Sequence, residues 1–587
     1  MKIYRFRNCY LNPAERRVIK DGKYLELTTK TLDVLQLLIE NAGEIVTKDE
    51  ILGKVWSGDF VEEGNLAVHI SKLRRLLGET KNLPFIETVQ GSGYRFVAPV
   101  QEAKQSDWEN ISSGINPSLQ NKQSREWTFD SIAVLPLQNE SNDAEIEYLA
   151  DGLTESFINN LSRLSNLKVI ARNTVFRYKN KNADAKEVGE TLGVATVLTG
   201  RIRVIKDRLT IGIELTKTDD GTQLWGTHFN RSFSDIFEIQ ESIFFEVLEK
   251  LKSEIYNISQ KHACNAMTKN SESFRLYLKG KYLVDKRTEE SIYKAIEFFK
   301  RSISYDYNNV YSYVEIVECY RQLYISDYIS YTNVLIKIKP YLSTISKLNQ
   351  SIDVVQAMYG GIKMYLDWDF ENAEKYFQQA LIINSNCFQA RYCYTDFLID
   401  LGRFSESLKE LNQLILIDPL SLPNYRRIGR LFYKMGRLEN AVEYLKEALE
   451  VEPADYQSLT ILGAVLIELG DFTEAFLSFQ RSLNIQFNIE TLTLIGYASA
   501  REGRKDKAYE IIKQIESQSK SNFQYAMKLA VINLALGEKE IAYTFLEQTF
   551  DQHDPDLIAI KSDPRLKQLN GELRFNELLL KIGLPID

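Results

Sequence analysis

Cysteine is scarce in this chain of 587 residues, and the five present (Cys9, Cys264, Cys319, Cys387 and Cys393) include no CxxC pair. That excludes a disulfide framework and a thiolate zinc site, and it suits a reducing compartment in which thiols serve as small core residues. Nothing near Cys387 or Cys393 would lower a thiol pKa, so oxidant sensing is not expected of them. His262-Ala263-Cys264 has no partner pair of ligands, so no metal is expected. Neither GxGxxG nor GxxxxGK[ST] occurs, and Gly189 and Gly193 do not make a phosphate loop, so no nucleotide cofactor is expected. No run of about 18 apolar residues is present, which excludes a spanning helix of ordinary length. The N-terminus passes straight into strand-like sequence, so the expectation is a soluble, cytoplasmic protein without a signal peptide.

What is present points to several domains, because single cores rarely grow past roughly 250 residues. The net charge of −8 looks wrong for a nucleic-acid binder. Charge belongs to domains, however, and residues 1–100 carry 15 Lys and Arg against 13 Asp and Glu. The acidic excess lies downstream, where it discourages nonspecific contact with DNA.

The most informative stretch is 61–95. Leu66, Ile70, Leu73 and Leu77 recur at the spacing of one helical face, and Asn65, Val68, His69, Lys72 and Arg75 fall opposite. Gly78 stops this helix. Two β-rich runs around Gly91-Ser92-Gly93 follow, with Arg95 just past the turn. A helix of this width fits a major groove, and a hairpin beside it reaches phosphates or a minor groove. Upstream, short strands are expected over 4–11 and 17–27, the second turned at Asp21-Gly22. Leu32, Leu35 and Ile39 mark a helix, and Thr47-x-x-Glu50 is the form of a capping box opening another.

With these motifs in order, residues 1–98 resemble a winged helix-turn-helix domain of the OmpR/PhoB type. The resemblance rests on Val61-x-x-x-Asn65-Leu66, Leu73-Arg74-Arg75-x-Leu77-Gly78 and Thr88-Val89-x-Gly91-x-Gly93-Tyr94-Arg95-Phe96. It implies binding to double-stranded promoter DNA, usually as tandem protomers on direct repeats. It also implies that Asn65, Val68 and Lys72 face base edges, that His69, Arg74 and Arg75 stand near phosphates, and that Arg95 is a wing residue. Lys72 lacks the bidentate fork of arginine, so looser guanine discrimination is expected there. Some relatives carry a transmembrane helix next; here residues 99–129 read as a polar linker.

Residues 130–257 read as α/β, with apolar strands over 132–137 and 167–171 and alternating strands over 195–204, 208–217 and 223–230. The motifs Ala133-Val134-Leu135-Pro136-Leu137, Asp151-Gly152-Leu153-Thr154, Leu198-Thr199-Gly200 and Gly221-Thr222-Gln223-Leu224-Trp225 resemble a TolB-like domain. That resemblance implies sensing of a ligand or partner and no defined chemistry. Asp151 and Glu155 share a helical face but read as a solvated face or cap. Arg172, Arg177 and Lys179 are a candidate anion-binding patch. No catalytic constellation stands out, so an enzyme is not expected.

Gly402, Gly436 and Gly470 recur about 34 residues apart, and Gly503 and Gly537 continue the series. Ala373, Ser407, Ala441, Ala475 and Ala508 occupy the matching place one helix later, where two helices must approach closely. Asp418-Pro419 and Glu452-Pro453 end second helices. Residues 270–587 thus resemble a tetratricopeptide (TPR) array, an all-α solenoid with a concave groove for a protein or peptide partner. Tyr392, Asp396, Tyr425, Arg426 and Arg430 are the candidates for that groove. The overall expectation is a multidomain α+β chain acting as a one-component transcription regulator, with a possible homodimer on DNA. The alternative is a TPR scaffold whose winged helix docks protein.

Overall fold

A computed structural model describes residues 2–21, 23–25, 27, 29–55, 63–79, 83–89, 92–104, 108, 131–141, 146–164, 167–181, 183–205, 208–250, 268, 270–348, 351–518 and 525–586. The first strands are β1 (Ile3–Phe6), β2 (Cys9–Asn12), β3 (Arg17–Lys20) and β4 (Lys23–Leu25). Each expected strand is therefore a hairpin, because the chain reverses at Arg7 and again at Asp21, both at positive φ. Next come α1 (Thr29–Glu40), β5 (Ile45–Thr47), α2 (Lys48–Val55), α3 (Glu63–Leu77), β6 (Ile86–Val89), β7 (Gly93–Phe96) and β8 (Val100–Ala103). The Thr47 hydroxyl accepts from the Glu50 amide at 3.2 Å, as the capping motif requires.

Two antiparallel sheets hold the three helices, with strand orders β4-β3-β2-β1-β8 and β5-β7-β6. The expected seam is the core: Leu66, Ile70, Leu73 and Leu77 are all buried, against Leu35, Phe6, Phe85 and Phe96. The expected polar linker begins too early. β8 pairs with β1 along its whole length, and Trp108 is buried with its indole donating to Glu15 at 2.8 Å. The rest of that expectation, 109–129, lies outside the described residues.

The central unit contains β9 (Ser131–Val134), β10 (Gln138–Asn139), α4 (Glu147–Ser162), β11 (Lys168–Val169), α5 (Arg172–Val175), α6 (Ala185–Leu192), β12 (Thr196–Ile205), β13 (Arg208–Lys217), β14 (Gln223–Ser232) and α7 (Ile236–Lys250). Its sheet runs β11-β9-β12-β13-β14, parallel among the first three and antiparallel thereafter, with β10 beside β12. Strand β9 is buried throughout, whereas β13 alternates buried with more exposed residues.

Paired antiparallel helices occupy 271–551, and short 3₁₀ turns and helix Leu573–Ile582 follow. Each repeated glycine from Gly402 to Gly537 ends a helix at positive φ, and each of the five small residues is buried. The array does not stand apart. A single hydrophobic core runs from the central sheet into the helices through Val355 and Ile362. The Ala171 amide donates to the Ile417 carbonyl at 2.7 Å, and Thr174 donates to Asp418 at 2.6 Å. The far end also returns: His553 stacks on Trp368 and Tyr331, and Ser562 donates to the Asp400 carbonyl.

Candidate nucleic-acid interface

The recognition helix α3 is fixed from below by its apolar seam, which leaves its remaining faces to set what the domain can touch. Lys72 is half-buried there. The side chains of Asn65, Val68 and Arg75 lie outside the described residues, as do positions 90 and 91 at the wing tip. Arg95 is part-exposed on β7 and pairs with Glu87 of the facing strand at 3.3 Å.

Two of the basic candidates are placed differently from expectation. His69 is only 2% exposed and shares a 2.8 Å hydrogen bond with Thr31 of α1. Burial, reinforced by Lys72 and Lys30, pushes its pKa down to about 3, so the ring is neutral and faces the helix bundle. His69 is adjacent to the apolar seam on the helix, and that adjacency carries it inward. Arg74 is also largely buried. Its guanidinium donates to the Ile86 carbonyl at 3.1 Å and the Thr88 hydroxyl at 2.7 Å, and it lies 3.5 Å from Glu79. It ties the helix to the wing instead of reaching outward.

The flank of the recognition helix is covered by the array. Ser71 donates to Glu447 at 2.9 Å, Arg74 lies 4.0 Å from the same carboxylate, and the Tyr94 hydroxyl donates to Glu450 at 3.2 Å. Glu447 and Glu450 belong to helix Leu438–Val451. Burial pushes Glu447 up to about 7, against the lowering effects of Ser71 and Arg74. Nothing in the sequence pattern singled out Ser71, Glu447 or Glu450, because each stands on an ordinary polar helix face.

The groove candidates are drawn into internal contacts. Asp396 accepts from Arg427 at 2.6 and 2.9 Å and from Arg430 at 2.8 Å. Burial acts to raise the Asp396 pKa, but Arg427 and Arg430 outweigh it and hold the carboxyl below its usual range. The Arg427 guanidinium lies 3.2 Å from the Tyr392 ring centre. Arg426 turns to Asp455 at 3.0 Å, and the Tyr425 hydroxyl donates to the Pro419 carbonyl. Among these, Arg427 is the residue that sequence reasoning missed.

A cavity of about 550 Å³ lies between the central unit and the array, lined among others by Arg163, Arg172, Lys281, Tyr311, Glu315 and Tyr392. Of the candidate anion patch, Arg172 pairs with Asp285 at 2.6 Å and Glu155 at 3.3 Å. Lys179 pairs with Asp151 at 2.6 Å and Glu147 at 2.7 Å. The carboxylates expected to be solvated are thus ion-paired, and Asp151 is buried. Burial pushes the Cys9 and Cys393 thiols up to about 12 and about 11. No helix among the described residues is long and apolar enough to cross a membrane.

Residues 22–96 match the family described as Transcriptional regulatory protein, C terminal, and residues 426–487 match a tetratricopeptide repeat family. A Rhizobium meliloti protein provisionally named adenylate cyclase 3 is 41% identical over 122 residues, which is 21% of each chain. The transcriptional regulator HilA of Salmonella typhimurium is 23% identical over 68% of each chain. The solved DNA-binding domain of Escherichia coli CadC is 25% identical, covers 18% of this chain and 98% of its own, and aligns with a TM-score of 0.17. The N-terminal region is therefore a DNA-binding domain of the OmpR/PhoB transcriptional regulator type, carried on one chain with tetratricopeptide repeats.

Proposed function

We propose that the protein is a one-component transcription regulator that reads promoter DNA through α3 and the β6–β7 wing. The observation that carries this reading is the rigid pairing of helix and wing by Arg74, a geometry suited to two adjacent grooves. The central unit, which resembles a TolB-like domain, and the helical array act by binding an effector, a protein partner or a second protomer. The cavity beside Arg172 and Lys281 is where an effector would lodge. The chain works in the cytoplasm and by binding, not catalysis; conversion of ATP to cyclic AMP by the purified chain would overturn that last part.

The test is capture of sheared genomic DNA by the purified full chain over a salt series, beside Lys72→Ala. Discrete recovered segments sharing a short repeated motif are expected. Lys72→Ala is expected to weaken specific binding by about 1–3 kcal/mol and to relax preference at one base. Diffuse recovery that vanishes at moderate salt would leave only electrostatic attraction and would favour the scaffold alternative.

A further inference from the structure

We infer that helix Leu438–Val451 of the array is a built-in competitor of DNA: it occupies the path of a phosphodiester strand between recognition helix and wing, and DNA binds only when it withdraws. The inference rests on the DNA-binding reading above.

The geometry makes the competition steric. A helix with its side chains is about 10–12 Å across, and the major groove is about 12 Å wide. A recognition helix seated in that groove leaves no room for a second helix packed on its flank at the usual distance of about 8–10 Å between axes. Helix Leu438–Val451 is so packed, through Ser71 and Arg74. At roughly 100° per residue, position 71 lies only about 40° from position 75 and about 60° from position 68, both on the face expected to read DNA.

The same helix also reaches the wing, where Tyr94 donates to Glu450. A duplex strand is what separates a major groove from the adjoining minor groove. An element that touches both the reading helix and the wing, and meets the helix beside its reading face as position 71 does, stands where that strand must pass. The chemistry fits the substitution. Glu443, Glu447 and Glu450 recur at i, i+4 and i+7 on the side of the helix that faces Arg74 and Lys48. Acidic oxygens thus occupy the Ser71 and Tyr94 hydroxyls, donors that a phosphate oxygen could otherwise meet. A second contact accompanies the closed arrangement: Glu190 of α6 lies near Lys30 and Arg16 of the DNA-binding domain, and near Asp33 as well.

The test uses the full chain and a DNA segment carrying the captured motif. Glu447→Arg places a cation against Arg74 and opens the interface, so DNA affinity is expected to rise at least fivefold. Glu452→Arg, an equal charge change at an exposed position on the same helix's end, is expected to leave it within twofold. In Ser71→Cys with Glu447→Cys, a short reducible bis-thiosulfonate that spans the reach of the replaced glutamate is expected to cross-link the two sites and lower DNA affinity at least tenfold, with recovery on reduction. Equal gains from both arginines, or a cross-linked chain that binds as well as the reduced one, would overturn the competition while leaving the DNA-binding reading intact. Failure of the cross-link to form would overturn the docking itself. Absence of motif-specific binding in every variant, Glu447→Arg included, would overturn the DNA-binding reading and the competition with it.

Discussion

Arg74 joins two elements that have to move as one body if helix and wing are to enter adjacent grooves together. Its guanidinium meets the Ile86 carbonyl and the Thr88 hydroxyl across the start of the wing. Charged hydrogen bonds of this kind contribute about 1.5–3 kcal/mol each. Arg74→Ala is therefore expected to speed amide exchange in β6 and β7 on the order of 100-fold or more, with helix Ile489–Arg501 unchanged. Exchange in the wing that matches the parent chain would show the hydrogen bonds to be incidental. Arg74→Lys is expected to recover little, because a single ammonium does not span both acceptors. At this scale the sequence was only partly legible. The apolar seam of α3 was plain because four residues repeat its period. The inward turn of His69 was not, since a polar residue flanking the seam needs a partner such as Thr31 that periodicity does not show.

The helix pairs of the array were the most legible elements, because the same two demands recur in every repeat. A left-handed residue ends the first helix, and a small residue on the second admits its neighbour. These demands are physically distinct, and the first helix shows both kinds in its glycines, one ending the helix and one giving a second-helix ring room. Gly470 has φ +82 and open space where a Cβ would stand, so Gly470→Ala introduces backbone strain alone, about 1 kcal/mol. Gly463 lies inside helix Tyr456–Leu469, where a Cβ would stand 2.2 Å from the ring of buried Phe479. Gly463→Ala is expected to cost more, about 3 kcal/mol, by forcing the two helices apart. Urea unfolding followed by circular dichroism compares them, and equal midpoints for the two variants would refute the distinction. Helices over 289–365 were less legible because their ends carry no matching glycine series, and Pro340 interrupts the pattern inside helix Tyr331–Ile345.

At the scale of the whole molecule, the decisive contact joins residues more than 350 positions apart, and neither side announces it. An acidic stripe on a surface helix is usually a solvated face; only the fold brings it to Ser71, Arg74 and Tyr94. That contact carries a titratable group in the physiological range. Docking buries Glu447, and burial raises its pKa to about 7; Ser71 and Arg74 oppose the rise, and Glu443 and Glu450 add to it. Glu443 and Glu450 are themselves raised by burial, with Arg74 opposing both and Lys48 and Lys446 opposing the second. Because the docked form holds the proton more tightly, docking is fully favoured below the ordinary carboxyl value of 4.5 and loses that advantage as pH rises through about 7. Between about pH 6 and pH 8 the loss for one such proton is up to about tenfold in the docking equilibrium. Affinity of the full chain for its DNA is therefore expected to increase by up to about tenfold over that interval, although phosphate binding by basic residues alone would not strengthen with pH. His69 adds nothing to this dependence, being held neutral throughout that range. Glu447→Gln keeps the hydrogen-bonding shape and has no proton to lose, so its DNA affinity is expected to stay at the low, acid-side level across the series. A Glu447→Gln chain that still gained affinity with pH would take Glu447 out of the pH dependence and assign the effect to another group, Glu443 and Glu450 of the same helix included.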